Sequence, residues 1–306
     1  MRKAAEVGLL AALAVECAVF AVAAPHFFTA DNLRNVTLQA SISAILGAGM
    51  TFVILTGGID LSVGSLVAMA GIVATSVLKV GVGWPVAILA ALVFGALSGG
   101  LAGTLVARLS IAPFIVTLAL MTIWRGTAFL VTDGRPVWDL PPSFAWLGAG
   151  RLLGIPVPTL AMVAIFVAGH VTLTATRYGR HVVACGGNPE AARLAGIRTG
   201  RVVGSVYVVS GMLAALTGVL LASRMNSGQP NAGLMYELDA IAAAVVGGTS
   251  LSGGRGSIVG TLLGALLIAV LRNGLNLLDV SSYIQQVVVG LVILGAVLID
   301  PGRRRQ

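Results

Sequence analysis

Charge is what this chain lacks most. Acidic and basic residues together make up 10% of its 306 residues, against about 25% in an ordinary soluble domain. That deficit excludes a conventional water-soluble fold. Cysteine is almost missing: Cys17 lies in an apolar run and Cys185 in a basic loop, with no metal-ligand spacing and no reason to pair. The histidines, His26, His170 and His181, are scattered, and neither a His-x-x-x-His pair nor a Gly-x-Ser-x-Gly elbow occurs. No metal site or catalytic set is expected. The Gly-x-x-x-x-Gly-Lys-Ser/Thr loop is absent too, so the chain binds no ATP by that route. Any energy input comes from a partner or from an ion gradient.

What is present is apolar sequence. Hydrophobic residues make up 57% and mean hydropathy is +0.98. Apolar runs of bilayer-spanning length recur without the polar–apolar alternation of a barrel, which predicts an all-α polytopic membrane protein. About ten transmembrane helices are expected: Val7–Ala24, Val36–Thr56, Val63–Val80, Trp84–Ala107, Ile111–Val131, Thr159–Ala175, Val202–Ala222, Ala240–Gly248, Gly256–Leu271 and Tyr283–Ile299. The start, Met1-Arg2-Lys3 and an apolar run, is read as an uncleaved first span, because Ala23-Ala24-Pro25 is a poor cleavage site. Thr132–Pro158 and Thr176–Arg201 are read as loops.

Cations set the orientation. With the N-terminus inside, Arg2, Lys3, Arg108, Arg255, the loop arginines 177, 180, 193, 198 and 201, and Arg303-Arg304-Arg305 all fall on the cytoplasmic side. The net charge of +8 is therefore read as a membrane-topology signal and not as a nucleic-acid footprint. The eighth run is short. At 1.5 Å per residue it rises only about 14 Å, under half of a ~30 Å core. It is expected either to cross as a broken helix or to re-enter; parity of the terminal arginines favours crossing.

The chain is read as one transmembrane domain over 1–306, with possible inverted repeat halves at 36–131 and 202–299. The repeat rests on Gly95, Gly99 and Gly103 against Gly256, Gly260 and Gly264, and on Ala48-Gly49-Met50 against Ser210-Gly211-Met212. An offset of five spans would invert the second copy.

The polar segment 176–201 holds a short helix at Asn188–Ala195. Asn188 is a natural N-cap, Pro189 suits the first helical position, Glu190 favours the dipole and Gly196 stops the helix. A stiff element outside the membrane is a docking element, and Gly187, Asn188, Glu190, Ala191, Ala192, Arg193, Leu194, Gly196 and Ile197 are assigned to coupling with an ATPase. Gly57, Gly58, Asp60 and Ser62 form either a helix-to-helix turn or a broken segment at the path. With Asn226, Gly247, Gly248, Thr249 and Ser250 they are assigned to the translocation path or its gating. Asp60 and Ser62 are expected to cap the next helix. Arg224, Gln229, Tyr236 and Glu237 supply the hydrogen bonds and ring face that sugar-like ligands or a docking protein need at the outer surface. Three ionisable groups lie within spans. Glu16 is either a proton-coupling acid or a neutral acid bonded to a neighbour. Arg125, near the outer end of the fifth span, can snorkel and is expected to serve structurally rather than to touch solute, and His170 is expected to pack as a polar residue.

Four strings carry a resemblance: TGGIDLSVGS at Thr56–Ser65, IAPFIVTLA at Ile111–Ala119, GGNPEAARLAGI at Gly186–Ile197 and YELDAIAAAVVGGTSLSGGRGS at Tyr236–Ser257. In order and spacing they resemble the permease subunits of bacterial ABC importers for ribose, xylose and related monosaccharides. The resemblance implies a multi-pass protein of the inner membrane with both termini cytoplasmic. It implies pairing with a second permease subunit, identical or not, docking of a cytoplasmic ABC ATPase that binds ATP and Mg, and delivery of solute by a periplasmic binding protein. No cofactor is implied on this chain, and nucleic acid is not a partner. The competing readings are a secondary transporter driven by an ion gradient through Glu16 and Asp60, and a related ABC permease for a nucleoside or a branched-chain amino acid.

Overall fold

The computed structural model describes residues 2–299, so Arg303-Arg304-Arg305 lie outside the described residues. The chain is a bundle of helices: α1 (Arg2–Ala23), α2 (Ala30–Leu55), α3 (Val63–Lys79), α4 (Trp84–Ala107), α5 (Pro113–Thr132), α6 (Pro142–Ala149), α7 (Val157–Ala175), α8 (Arg177–Gly187), α9 (Pro189–Leu194), α10 (Thr199–Met225), α11 (Tyr236–Val246), α12 (Ile258–Leu277) and α13 (Ser282–Ile299). One small antiparallel hairpin, β1 (Arg151–Leu152) with β2 (Ile155–Pro156), follows α6.

Among the described residues, seven helices are long and apolar enough to cross a membrane: α1, α2, α4, α5, α7, α10 and α12. The expected third and tenth spans are shorter apolar helices, α3 and α13. The expected eighth span is α11, whose helix begins at Tyr236, not Ala240. The stretch Tyr236–Asp239, expected as outer loop, is its first turn. Two expected loops also hold helices. α6 packs on the end of α10, where Ser223 Oγ donates to Phe144 O and accepts from the Gly148 amide. α8 and α9 together fill most of the basic loop.

Burial sorts the helices into a centre and a rim. In α2 83% of the apolar window is buried, in α10 67%, and in α1 only 6%. α2 and α10 therefore form the axis of the bundle. Small residues let the backbones close in. Along the α4–α10 seam Gly95, Gly99 and Gly103 face the backbones of Gly211, Tyr207 and Gly204; a Cβ on Gly103 would lie 2.6 Å from the Gly204 carbonyl oxygen. Gly260 and Gly264 instead face Gly247 and Ala243 of α11, and Gly256 precedes α12. The two glycine rows that suggested a repeat thus do different jobs.

The bundle has two ends. One carries α8 and α9; there the Gly254 amide donates to Leu55 O at 2.9 Å, where α2 stops. The other carries the hairpin; there Val137 bridges Gly228, Lys79 Nζ lies 3.2 Å from Asp139 Oδ2, and Asn32 pairs with Asn273. Residues 226–254 lead from the hairpin end to the α9 end, so the weak eighth run does carry the chain across the bundle.

Candidate functional site

Two helices of the bundle begin in its interior. After α2 stops at Leu55, Gly57 turns the chain at φ 81°, and residues 57–62 run back inward without helix. Asp60 ends up 1% exposed. Its Oδ1 accepts the Ser62 hydroxyl at 2.6 Å and the Ser62 amide at 3.1 Å, and its Oδ2 accepts the Ser210 hydroxyl of α10 at 2.8 Å. A turn at the membrane face is thereby excluded. Ser62 does not cap α3 with its side chain: its own backbone is already helical, and its hydroxyl is spent on Asp60. Tyr207 of α10 is fully buried beside Gly58, where a Cβ would overlap its hydroxyl.

The second break mirrors the first in outline. α10 stops at Met225, Asn226 takes φ 50°, residues 227–235 turn back inward, and Met235 at φ 68° precedes α11. The starts of α3 and α11 abut. Gly64 and Gly233 meet backbone to backbone, and the Glu237 carboxylate lies against Gly64. A carboxylate there faces the positive ends of two helices at once. α5 braces both breaks. Thr117 Oγ1 lies 3.2 Å from Ile59 O, and Arg125 Nη1 donates to Pro230 O and Ala232 O, each at 2.7 Å. Arg125 therefore points into the protein instead of snorkelling, and its use is structural, as expected: its two carbonyl partners have no helical donors of their own.

These contacts divide the residues singled out from sequence. Of the outer-face group, Arg224 and Tyr236 line one cavity of about 170 Å³ toward the hairpin end. Glu237 faces away from that cavity, toward Gly64, because one residue along α11 turns the side chain by about 100°. Gln229 is half-buried in the second break, its amide 3.3 Å from Ser227 Oγ. Of the path group, Asp60 and Ser62 lie in the middle, Asn226 at the hairpin end, and Gly57, Gly58 and Gly247–Ser250 toward the α9 end. Gly247 packs on Gly260, Gly248 turns at φ 83°, Thr249 is buried, and the Ser250 amide donates to Arg255 O. Sequence reasoning missed the ion pair on the cavity wall: Arg272 grips Asp239 through two nitrogens, at 2.6 and 2.9 Å. The only signal was positional: Asp239 directly precedes one expected span and Arg272 directly follows the next. Glu16 is half-buried on α1, and its Oε2 has no hydrogen-bond partner among the described residues.

The basic loop folds as two helices. α8 is amphipathic: Gly179, Val182 and Cys185 are buried while Arg177 and Arg180 are exposed. It is fastened to α7 through Gly179 and to α10 through Tyr178 and Ser205, whose hydroxyls lie 2.8 Å apart. Burial pushes the Tyr178 hydroxyl up against the opposing pull of that bond, and burial alone pushes the Cys185 thiol up. α9 then projects. Asn188 caps it by accepting the Ala191 amide at 2.9 Å, and Gly196 ends it at φ 81°. Gly187, Glu190, Ala191, Arg193 and Gly196 are exposed, Leu194 is 82% exposed, and Ala192 alone of the helix is buried. At the root of α9 three backbones interlock: Gly186 sits on Leu55 O, Gly254 on Gly187, and Gly253 on Gly186 and Gly57. One of these strands leads straight into the first break and another into α12.

The known proteins most like this chain in sequence include transport permeases. The family described as "Branched-chain amino acid transport system / permease component" matches residues 32–297. The ribose import permease protein RbsC of Escherichia coli K12 is 49% identical over 95% of this chain and 92% of its own length. RbsC of Bacillus subtilis 168 is 48% identical over 90% and 86%. The L-arabinose transport system permease protein AraH of Escherichia coli K12 is 39% identical over 95% and 88%. No solved structure matches the chain.

Proposed function

Because the chain belongs to the family of branched-chain amino acid transport system permease components, we propose that it is the membrane-spanning subunit of an ATP-driven importer, and that its solute is ribose. The observation that carries this is near-half identity, along almost the whole chain, to ribose import permeases from two distant bacteria. Identity to the arabinose permease is ten points lower (49 against 39) over the same share of this chain. The secondary-transporter reading is not favoured: Asp60 is spent on three donors, and Glu16 has no second acid near it along α1.

In this reading the chain crosses the inner membrane ten times, with α3 and α11 as half-length crossings completed by the two unwound breaks. The hairpin end faces the periplasm and a solute-binding protein, and α9 faces the cytoplasm. The order helix, break, short helix, helix, helix occurs in 30–132 and again in 199–299, which supports an inverted repeat with the breaks at its centre. A second permease subunit completes the path. α9 seats in a cytoplasmic ATPase that holds ATP and Mg. Its displacement would pass through α8 and the interlocked glycines to the end of α2 and the start of α12, and so to both breaks. Such coupling calls for rigid levers between two states, and α9, capped at both ends, is one.

The test is reconstitution with the ATPase and the binding protein in proteoliposomes. Ribose should accumulate only with internal ATP and Mg, and dissipating ion gradients should leave uptake intact. Accumulation by this chain alone, driven by an ion gradient, would overturn the reading.

A further inference from the structure

A polar cavity of about 170 Å³ lies between α2, the end of α10, α11 and α12. Gln39, Ser43, Arg224, Tyr236, Asp239 and Arg272 supply its polar atoms. Gln39 stands nine residues into α2, about 13 Å along the axis from its start; it is exposed on the cavity wall and is the last exposed residue before the largely buried remainder of the helix, 40–55. An exposed amide at that depth is incompatible with lipid; it needs water or a partner. The Asp239–Arg272 pair is costly in an apolar bundle too, and paired intramembrane charges facing a cavity are a mark of solute and ion routes.

The chemistry of the wall selects among solutes. Asp239 and Arg272 neutralise each other, so the wall around the pair offers little attraction to a cation or an anion; Arg224, exposed at the end of α10, adds one positive charge at that edge of the cavity. Their bidentate grip uses two of the five guanidinium N–H groups and part of the carboxylate's acceptor capacity. Donors and acceptors thus remain side by side, the pattern that adjacent hydroxyl groups present. Tyr236 adds a flat apolar face with a polar tip, and Gln39 and Ser43 add one donor–acceptor group each. We propose that this cavity is a hydroxyl-reading subsite on the solute path, occupied by a neutral polyol of monosaccharide size in transit. The inference rests on the importer reading above and adds the residues that handle the solute inside the membrane subunit.

The experiment measures ribose moved per ATP hydrolysed by the complete importer in proteoliposomes. Two variants are compared with the parent: Gln39→Leu, and the near-isosteric double variant Asp239→Asn with Arg272→Gln, which removes the ion pair without leaving a lone buried charge. Removing hydrogen bonds to charged groups is expected to lower the ratio by about tenfold in the double variant, with a smaller fall for Gln39→Leu. Restoring Arg272 and Asp239 in exchanged positions should recover part of the ratio. A ratio within about twofold of the parent in both variants would overturn the subsite, given the size of the bonds removed. So would ribose uptake and ATP hydrolysis falling in proportion, which marks a purely structural pair. Failure of the importer reading is a separate result, seen as absence of ATP-dependent ribose uptake in the parent itself.

Discussion

Arg125 feeds two carbonyl oxygens, Pro230 and Ala232, that the second break leaves without helical donors. Bare carbonyls inside a bundle are costly, so the side chain is worth more than its single charge suggests. Arg125→Ala is expected to destabilise the protein by about 2 kcal/mol, read as a lower melting temperature in detergent, and Arg125→Lys by less. Cys185 makes a different point. Its thiol is 2% exposed and burial has pushed it up, so little thiolate exists near neutral pH. Modification by a thiolate-seeking reagent should be slow at pH 7 and still be climbing above pH 9, where an ordinary exposed thiol with a pKa of about 8.5 levels off; stopped-flow labelling of a Cys17→Ala background checks this. At this scale the sequence spoke clearly where the interaction was local. Asn188 announced its cap because donor and acceptor lie three residues apart. The Asp239–Arg272 grip links residues 33 apart, and no local rule joins them.

α9 shows how little a helix needs to stand alone when its ends are satisfied. Six residues are too few to be stable by propensity, yet the cap at Asn188, the turn at Gly196 and buried Ala192 hold it in place. What it offers outward is Leu194. Leu194→Asp should leave thermal stability within about 0.5 kcal/mol, while co-purification with the ATPase and ATP-driven uptake fall together. Loss of stability with retained ATPase binding would contradict a docking role. The element scale also shows where sequence patterns mislead. α8 was hidden because its buried positions, Gly179, Val182 and Cys185, sit among Arg177, Arg180, Gly186 and Gly187, which read as loop. α11 was read four residues too short because its first turn carries Glu237 and Asp239, polar residues that belong to a helix start inside the bundle rather than to a surface loop. The long helices were legible because bilayer-length apolar runs leave few alternatives.

Across the whole molecule, polar chemistry is sorted by depth. Exposed arginines and α9 occupy one end, the paired breaks and their hydrogen-bonded acids the middle, and the hairpin the other end. Sidedness can be checked directly. In a cysteine-free background, Leu153→Cys at the hairpin tip, 95% exposed, and Leu194→Cys on α9, 82% exposed, should label from opposite faces with a membrane-impermeant maleimide. Leu153 is expected to react in intact spheroplasts and Leu194 only after lysis; reaction of both from one face would reverse the proposed topology.

The root of α9 has one more implication. Where Leu55, Gly57, Gly186, Gly187, Gly253 and Gly254 touch, main chain meets main chain. Most protein seams can be repaired after an injury, because a larger side chain on one wall is answered by a smaller one opposite. Here there is nothing left to trim. A methyl group added at Gly186 has no complementary shrinkage available among its neighbours, so suppressor mutations cannot arise within the knot and must come from elsewhere in the assembly. Evolution is then free to redesign the solute cavity and the rim helices, while this small patch of naked backbone stays frozen.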